Sequence, residues 1–478
     1  MTTDAIVVGS GPNGLAAAVT LARAGLSVRV IEGADTPGGG CRTAELTLPG
    51  FRHDVCSAVH PLAAVSPFFA QLDLAGLGVT LRTPKVAFAH PLDGGRAAWL
   101  AGSVDETAGG LGADGRAYQR LLEPLVRDAA RTLPDILSPL RSVPSHPLAM
   151  ARFGLDGLPP ASLLARRFRT DEARALLAGA AAHSMLPLTA PLTGAFGLTL
   201  MMTAHAVGWP VVEGGSSRLA DALVTEVTSL GGEVEVGRWV TSLDELPRAM
   251  AVLLDVTPRQ LAALAGASLT ARQRGTLERY RYGPGVCKVD WALSRPVPWA
   301  AAACREAGTV HLGGRFDEVA RSEADVNAGR HPEQPFCLVS QPGVVDPTRA
   351  PAGQHALWGY CHVPSGSAVD MSARIEAQIE RFAPGFPDLI LARSVRTAAD
   401  MERYNPNYIG GDINGGAATL RQTFFRPVPR WNPYRTALPG VYLCSSSTPP
   451  GGGVHGMCGQ AAARTALADL GRGPAGRP

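Results

Sequence analysis

The 478-residue chain lacks the cysteine patterns that indicate disulfides or metal binding. Its eight cysteines include no CxxC pair and no short spacing typical of zinc ligands, which favours reduced thiols in a cytoplasm and argues against a metal site. An excess of one charge is also missing, because 44 basic and 41 acidic residues give a net charge of only +3. Composition therefore does not indicate a nucleic-acid partner.

Targeting and membrane-spanning segments are not evident either. The opening residues, MTTDAIVV, carry no basic region, so we expect no secretory signal. Residues 175–212 contain no Asp, Glu, Lys or Arg, but Pro187, Pro191, Gly194 and Gly197 interrupt them. We expect buried or substrate-lining helices here rather than a membrane span, with a peripheral contact with a bilayer as the alternative.

The most informative stretch lies near the start, at residues 4–33. An apolar run from Ala5 to Val8 enters Gly9, Gly11 and Gly14, apolar residues then recur at helical spacing, and a second apolar run ends in Glu32. This pattern predicts a βαβ unit in which Gly9 makes the turn, Gly11 lets the backbone approach a diphosphate and Gly14 lets helix pack on strand. Glu32 would accept hydrogen bonds from a ribose diol.

A second glycine cluster follows closely. Gly38, Gly39 and Gly40 precede Arg42 and Thr43. A long cofactor such as FAD would need this additional close approach and a cation, whereas the alternative is a flexible surface loop. A formal GxGxxG at residues 110–115 follows DETA rather than an apolar strand, so we reject it and expect no stable NAD(P) site.

The middle of the chain returns to the nucleotide unit and then becomes rich in strands. A predicted helix from about Ser217 to Leu230 leads into a predicted strand from Val234 to Val240. Val240 would either contact an adenine or simply belong to the sheet. Residues 280–430 predict several strands and one amphipathic helix, followed by a glycine-dense loop around Asp412.

The end of the chain predicts a strand, a loop with two prolines and three glycines at residues 449–453, and a helix beginning near His455. The free N–H groups of such a helix stabilise nearby negative charge, which suits a reduced flavin ring.

These segments together resemble the phytoene desaturase-like FAD oxidoreductases. The motifs that carry the resemblance are GSGPNGLAAAVTLARAGLSVRVIE, PGGGCRT with GFRHDV, EGGSSRLADAL and TPPGGGVHG. The resemblance implies an α/β fold of the monoamine oxidase or hydroxybenzoate hydroxylase type. An FAD-binding Rossmann-type domain would comprise residues 1–80, 206–270 and 432–478, and a mixed β-sheet and helical substrate domain would comprise residues 81–205 and 271–431.

The resemblance also implies a set of cofactor contacts. Gly9, Gly11 and Gly14 would meet the pyrophosphate, Glu32 the ribose, and Gly38, Gly39 and Arg42 the pyrophosphate and ribityl region, with Val240 at the adenine; Gly452, Gly453 and Met457 would border the isoalloxazine. Where the family loop before TPPGG usually begins with a glycine, this chain has Ser445, Ser446 and Ser447. Ser446 is included among the cofactor contacts, since a serine hydroxyl there can still donate to a ribityl or phosphate oxygen.

The expected chemistry is hydride transfer from a hydrophobic substrate to flavin N5, with a neighbouring proton lost to a base. His455 and Asp412 are the first candidates for that base, ahead of His60 and His205. The alternatives are a flavin-dependent isomerase or saturase, an amine oxidase-type enzyme, and a non-catalytic flavin-binding interaction protein. We expect a cytoplasmic protein, with membrane contact as an option, and leave the electron acceptor open.

Overall fold

The structure is a computed structural model that describes residues 3–139 and 142–472. Its strands, in chain order, are β1 Ala5–Val8, β2 Val28–Ile31, β3 Thr43–Ala44, β4 His53–Asp54, β5 Leu81–Arg82, β6 Val86–Leu92, β7 Arg96–Ala101, β8 Val211–Val212, β9 Glu233–Glu235, β10 Ala251–Leu254, β11 Gly285–Leu293, β12 Ala307–Leu312, β13 Cys337–Ser340, β14 His355–Val363, β15 Ile390–Arg396 and β16 Val441–Leu443.

The α-helices, in chain order, are α1 Pro12–Arg23, α2 Pro61–Ala64, α3 Val104–Gly110, α4 Gly115–Arg127, α5 Ala129–Ile136, α6 Pro147–Gly157, α7 Ala161–Leu164, α8 Asp171–Ala182, α9 Thr193–Val207, α10 Ser217–Ser229, α11 Pro258–Leu264, α12 Ala271–Glu278, α13 Ala302–Arg305, α14 Phe316–Asn327, α15 Ser372–Phe382, α16 Ala398–Tyr404, α17 Leu420–Phe425 and α18 Met457–Asp469.

A five-stranded parallel sheet organises the first half of the fold. Its strand order is β16-β10-β1-β2-β9, so it draws on residues 5–31, 233–254 and 441–443. Helix α1 packs between α10 and α18, and Gly459 makes the contact with α18 close, because a Cβ there would collide with the carbonyl of Asn13. The predicted α/β fold with a Rossmann-type unit is confirmed, and the domain bounds stay a prediction.

A seven-stranded mixed sheet forms the second half, in the order β15-β11-β14-β13-β12-β6-β7. Side chains alternate between its faces. On β11, Cys287, Val289 and Trp291 belong to an apolar core shared with α15. Lys288 and Asp290 lie on the opposite face, where β14 supplies their cross-strand neighbours.

One predicted boundary is wrong. Strand β9 ends at Glu235, not at Val240, because Gly237 turns the chain with φ +73°, so Val240 lies in a loop. The last helix begins at Met457, after Gly456 at φ +68°, close to the predicted start near His455.

Helices α8 and α9 are the apolar segment noted above, and most of their residues are buried. Across residues 3–139 and 142–472, no helix is both long and apolar enough to cross a membrane.

Candidate cofactor and substrate site

One cavity of about 510 Å³ runs along the carboxyl edge of the parallel sheet and continues to the mixed sheet. This volume is within the range of about 300–1,000 Å³ common for ligand pockets. The carboxyl edge of a parallel α/β sheet is where such folds bind nucleotides. The cavity therefore has the position expected for a cofactor followed by a substrate.

The first glycine turn leaves the start of α1 open toward this cavity. Gly9 has φ +98° and donates its N–H to the Ile31 carbonyl at 2.8 Å. A Cβ on Gly14 would collide with the Gly9 carbonyl oxygen, so helix α1 can approach the turn this closely only with glycine there. Gly9 and Gly11 both line the cavity. The N-terminus of α1 is consequently available to a negatively charged group.

Glu32 follows β2 and lies at one end of the cavity, nearly buried. Its Oε2 accepts hydrogen bonds from the N–H and hydroxyl of Ser10 at 2.8 and 2.6 Å, and its Oε1 accepts one from the Ala34 N–H at 2.9 Å. Arg42 lies 3.4 Å from the same Oε1. These bonds hold the carboxylate in one orientation beside the cavity.

The second glycine loop packs directly on the first. Gly38 donates its N–H to the Ser10 carbonyl at 3.0 Å, and a Cβ on Gly39 would come within 2.9 Å of the Gly11 Cα. Gly39 and Arg42 line the cavity, whereas Gly38 does not. The Arg42 guanidinium donates to the Thr36 carbonyl at 2.7 Å. The two glycine turns thus form one wall.

Val240 lines the cavity beside Glu32, as does Trp239. The indole of Trp239 is 60% exposed and lies over Gly33, where a Cβ would come within 2.7 Å of the ring. Sequence reasoning missed Trp239. The available signal in the sequence was that Trp239 directly precedes Val240, the residue predicted to contact the adenine.

The C-terminal loop contributes the other end of the cofactor wall. Ser446 and Gly453 line the cavity, whereas Gly452 and Met457 do not. Gly452 instead packs against Asn414, with which a Cβ would clash at 2.8 Å. This loop therefore meets the glycine-dense loop around Asp412.

The two candidate bases are engaged in structural hydrogen bonds. His455 Nδ1 accepts from the Met457 N–H at 3.0 Å, so its Nε2 carries the proton and faces the Gly451 carbonyl at 3.2 Å. Burial lowers the pKa of His455 to about 4. Asp412 accepts the Gly283 and Asn414 N–H groups at 2.7 and 2.8 Å. Neither side chain lines the cavity, so their geometry does not support the predicted catalytic role.

The two weaker candidates do not line the cavity either. His60 Nε2 lies 2.8 Å from the Ser216 hydroxyl, and His205 Nε2 lies 2.7 Å from the Tyr118 hydroxyl.

Asp255 is a buried acidic residue at the cofactor end that sequence reasoning missed. Its Oδ2 accepts the Gly14 N–H at 3.0 Å, and the carboxylate lies so close to Gly11 that a Cβ there would come within 2.6 Å. Burial raises its pKa to about 7, with the charge of Glu32 adding to the effect. Its position directly after the apolar strand β10 was the signal, since that strand neighbours β1.

The substrate end of the cavity is aromatic and carries one histidine. Trp358 and Tyr360 of β14 stack at 5.7 Å with an interplanar angle of 18°, and both line the cavity with Leu338 and His183. Sequence reasoning found the strand but not which face would meet the cavity. The alternation of side chains along β14 was the available signal.

Comparisons with known proteins agree with this geometry. Residues 7–72 match a family model described as an NAD(P)-binding Rossmann-like domain. The chain is 27% identical to mouse pyridine nucleotide-disulfide oxidoreductase domain-containing protein 2, over 98% of this chain and 94% of the relative. It is also 27% identical to phytoene dehydrogenase of Streptomyces griseus, over 94% of this chain and 92% of the relative.

The resemblance to phytoene desaturase-like flavoenzymes is confirmed. Solved structures share the fold at lower identity. An oxidoreductase from Methanosarcina mazei superposes with a TM-score of 0.64 at 15% identity, covering 97% of this chain and all of that one. Putrescine oxidase bound to putrescine gives 0.59 at 18% identity, covering 98% and 99%. The comparisons therefore support a flavin-type oxidoreductase family for this chain.

Proposed function

We propose that this protein is an FAD-dependent oxidoreductase, a dehydrogenase or desaturase that removes a hydride and a neighbouring proton from a hydrophobic small molecule. The observation that carries the proposal is the single cavity that joins both glycine turns, the C-terminal loop and an aromatic wall. A cofactor held along the two glycine turns and the C-terminal loop would present its reactive ring toward the aromatic wall.

The residues present fit FAD. The backbone N–H groups at the start of α1 would hold the diphosphate, and the close packing of Gly39 on Gly11 leaves no Cβ in the way. Glu32, oriented by Ser10, would meet the ribose, and Trp239 offers a flat surface for the adenine. FAD, when bound, supplies a two-electron acceptor for hydride. The protein's part is to orient the ring, exclude water and receive the proton.

Amine oxidase-type chemistry is the second candidate. The stacked pair Trp358 and Tyr360 lining the cavity favours it, since aromatic faces attract cations. Two other functions are compatible with the same fold: a flavin-dependent isomerase or saturase, and a non-catalytic flavin-binding protein.

Purification and anaerobic reduction test the proposal. The protein should bind FAD in a 1:1 ratio, and substitution Glu32→Ala should weaken FAD binding because a ribose contact is lost. Glu233→Ala, an exposed acidic residue at the start of β9, is the control and should leave FAD binding unchanged. Protein that stays colourless after incubation with FAD would contradict the cofactor assignment.

The direction of the reaction can be read from the flavin absorbance at about 450 nm, a property of the cofactor. A dehydrogenase bleaches under anaerobic conditions when its substrate is supplied from a fractionated lipid or small-molecule extract. An isomerase or saturase would act only after prior reduction. FAD that is never bleached by any fraction and is not reoxidised after dithionite would favour the non-catalytic alternative.

We also propose a cytoplasmic protein that touches anionic membranes through α6. Leu148 and Leu155 are 87% and 78% exposed, and with exposed Arg152 they share one stripe of the helix by their spacing. Apolar and cationic side chains side by side suit a negatively charged bilayer surface. Leu148→Glu with Leu155→Glu should reduce flotation with phosphatidylglycerol vesicles, while Leu420→Glu on α17 should not. Equal flotation of both variants would exclude α6 as the contact.

A further inference from the structure

We propose, building on the FAD-dependent function above, that the substrate has an aromatic or similarly planar ring and an O–H or N–H group. The ring would lie against Trp358 and Tyr360, and the polar hydrogen would meet Nδ1 of His183. This assigns a substrate class and a proton acceptor to the end of the cavity away from Glu32.

The cavity wall formed by β14 is aromatic, and charged side chains lie beside its rings. Cross-strand pairing places Tyr360 opposite Lys288 and Trp358 opposite Asp290 on the same face. The Lys288 ammonium lies 2.5 Å from both Asp290 oxygens and 5.3 Å from the centre of the Trp358 ring. This buried ion pair lies on the same face of the sheet as the two rings. An aromatic substrate ring can interact with it electrostatically, whereas a plain hydrocarbon chain cannot.

The lining of the cavity supports a compact substrate. A long polyene extending past the flavin would need a channel beyond Trp358 and Tyr360, and the cavity lining includes no residue of β12 or β6. A molecule of one or two rings fits these bounds.

His183 is the titratable side chain best placed to meet such a substrate. It ends helix α8, lines the cavity, and its Nε2 lies 3.0 Å from Nε2 of the fully buried His311. Its Nδ1 has no hydrogen-bond partner within residues 3–139 and 142–472. His311 pairs across the sheet with Leu338, which pairs with Tyr360. His183 therefore lies above the aromatic wall.

The surroundings of His183 are mostly neutral. Besides His311, the titratable group that influences it is His362, whose Nδ1 is bound by both oxygens of the Glu323 carboxylate at 2.8 and 2.9 Å. Burial lowers the pKa of His183 to about 3. The imidazole is thus neutral at physiological pH, and when its Nε2–H donates to His311 the lone pair of Nδ1 can accept a hydrogen bond from the substrate.

The proposed step is a two-electron oxidation of the substrate. The carbon that bears the O–H or N–H group loses a hydride to the oxidised cofactor, the heteroatom loses its proton to His183 Nδ1, and a carbon–heteroatom double bond forms. The hydrogen bond to His311 holds the ring of His183 in one orientation, while burial disfavours the imidazolium, so the proton is passed on rather than kept.

Three bicyclic probes test the inference on the FAD-loaded protein by calorimetry and by perturbation of the flavin absorbance band. We expect 2-naphthol to bind at least tenfold more tightly than decahydro-2-naphthol, which has the same hydroxyl but no π system. We expect it to bind severalfold more tightly than naphthalene, which lacks the hydroxyl.

Substitutions separate the two contacts. His183→Leu should erase the preference for 2-naphthol over naphthalene, and His183→Asn should keep part of it because an amide can still hydrogen-bond. Trp358→Leu should weaken both aromatic probes. His331→Leu, a partly exposed histidine that binds Ser367 outside the cavity, is the matched control and should change neither preference.

The outcomes are distinguishable from failure of the proposed function. Colourless protein that refuses FAD would overturn the function itself. Protein that binds FAD but binds 2-naphthol no better than decahydro-2-naphthol, or that binds none of the probes, would overturn this inference alone. The same conclusion follows if FAD-loaded His183→Leu or His183→Asn keeps the full preference for the hydroxyl.

Discussion

Replacing Asp255 by Asn removes a buried charge from the start of α1 while keeping an acceptor for the Gly14 N–H. The carboxylate is 7% exposed and accepts that N–H at 3.0 Å. Burial, together with the nearby Glu32 charge, raises its pKa to about 7 against the opposing effect of the hydrogen bonds from Gly14 and Gly11. Asn cannot ionise, so the variant isolates the effect of the charge.

The magnitude follows from the difference between folded and unfolded pKa. The pKa rises from 3.8 to about 7 on folding, and each unit corresponds to about 1.36 kcal/mol, so the linked free energy is about 4 kcal/mol. Because the folded pKa is the higher one, the folded state holds the proton more tightly. This contribution to stability is complete below pH 4, is lost as the pH rises to about 7, and does not change above that.

The assay is urea unfolding of the cofactor-free protein from pH 5 to pH 8. The wild type should lose stability over this range relative to Asp255→Asn, and at pH 8 the variant should be the more stable by up to about 4 kcal/mol. FAD affinity should follow the same curve, because an ionised Asp255 repels a diphosphate at the start of α1. Asp35→Asn, in the exposed loop after β2, is the control. Parallel pH profiles for wild type and Asp255→Asn would refute the reasoning.

Two further substitutions test the packing of the fold. Gly14→Ala places a Cβ against the backbone carbonyl of the glycine turn, which cannot move aside. Thermal unfolding should therefore begin at a lower temperature, and FAD binding should be lost. Normal FAD affinity would contradict the close packing. Arg349→Met leaves the buried carboxylates of Asp54 and Asp346 without their counter-charge and should cost about 3–5 kcal/mol in chemical denaturation. Arg82→Met, which removes a largely exposed pair, should cost under about 1 kcal/mol; similar losses for both would show that burial is not decisive.

Local patterns sufficed for the parts of the fold that depend on nearby residues. The β1, α1 and β2 elements were predictable because their apolar periods and glycines act within thirty residues. The hairpin of β6 and β7 has an equally local basis, since Asp93, Gly94 and Gly95 form its turn. Strand β9 was predicted too long because an apolar run alone does not reveal that Gly237 turns the chain.

The site residues depended on contacts that no local pattern contains. His183 and His311 are 128 residues apart in the chain, and Asp255 and Gly14 are 241 apart. His455 was attractive because histidine titrates near neutral pH, but its two nitrogens are taken by backbone groups two and four residues away. The glycine-rich sequence predicts a close backbone approach there without telling which atoms approach.

The parallel sheet supports the cofactor end of the cavity and the mixed sheet supports its substrate end, so the two ends can be tested separately. Glu32 and Asp255 follow strands of the parallel sheet, whereas Trp358 lies within the mixed sheet and His183 ends a helix that packs on its strands. Changes on β14 or at the end of α8 can therefore alter the choice of substrate while the cofactor wall stays intact. We expect Glu32→Ala to lower FAD affinity without changing the ranking of the three bicyclic probes, and Trp358→Leu to weaken both aromatic probes at unchanged FAD content.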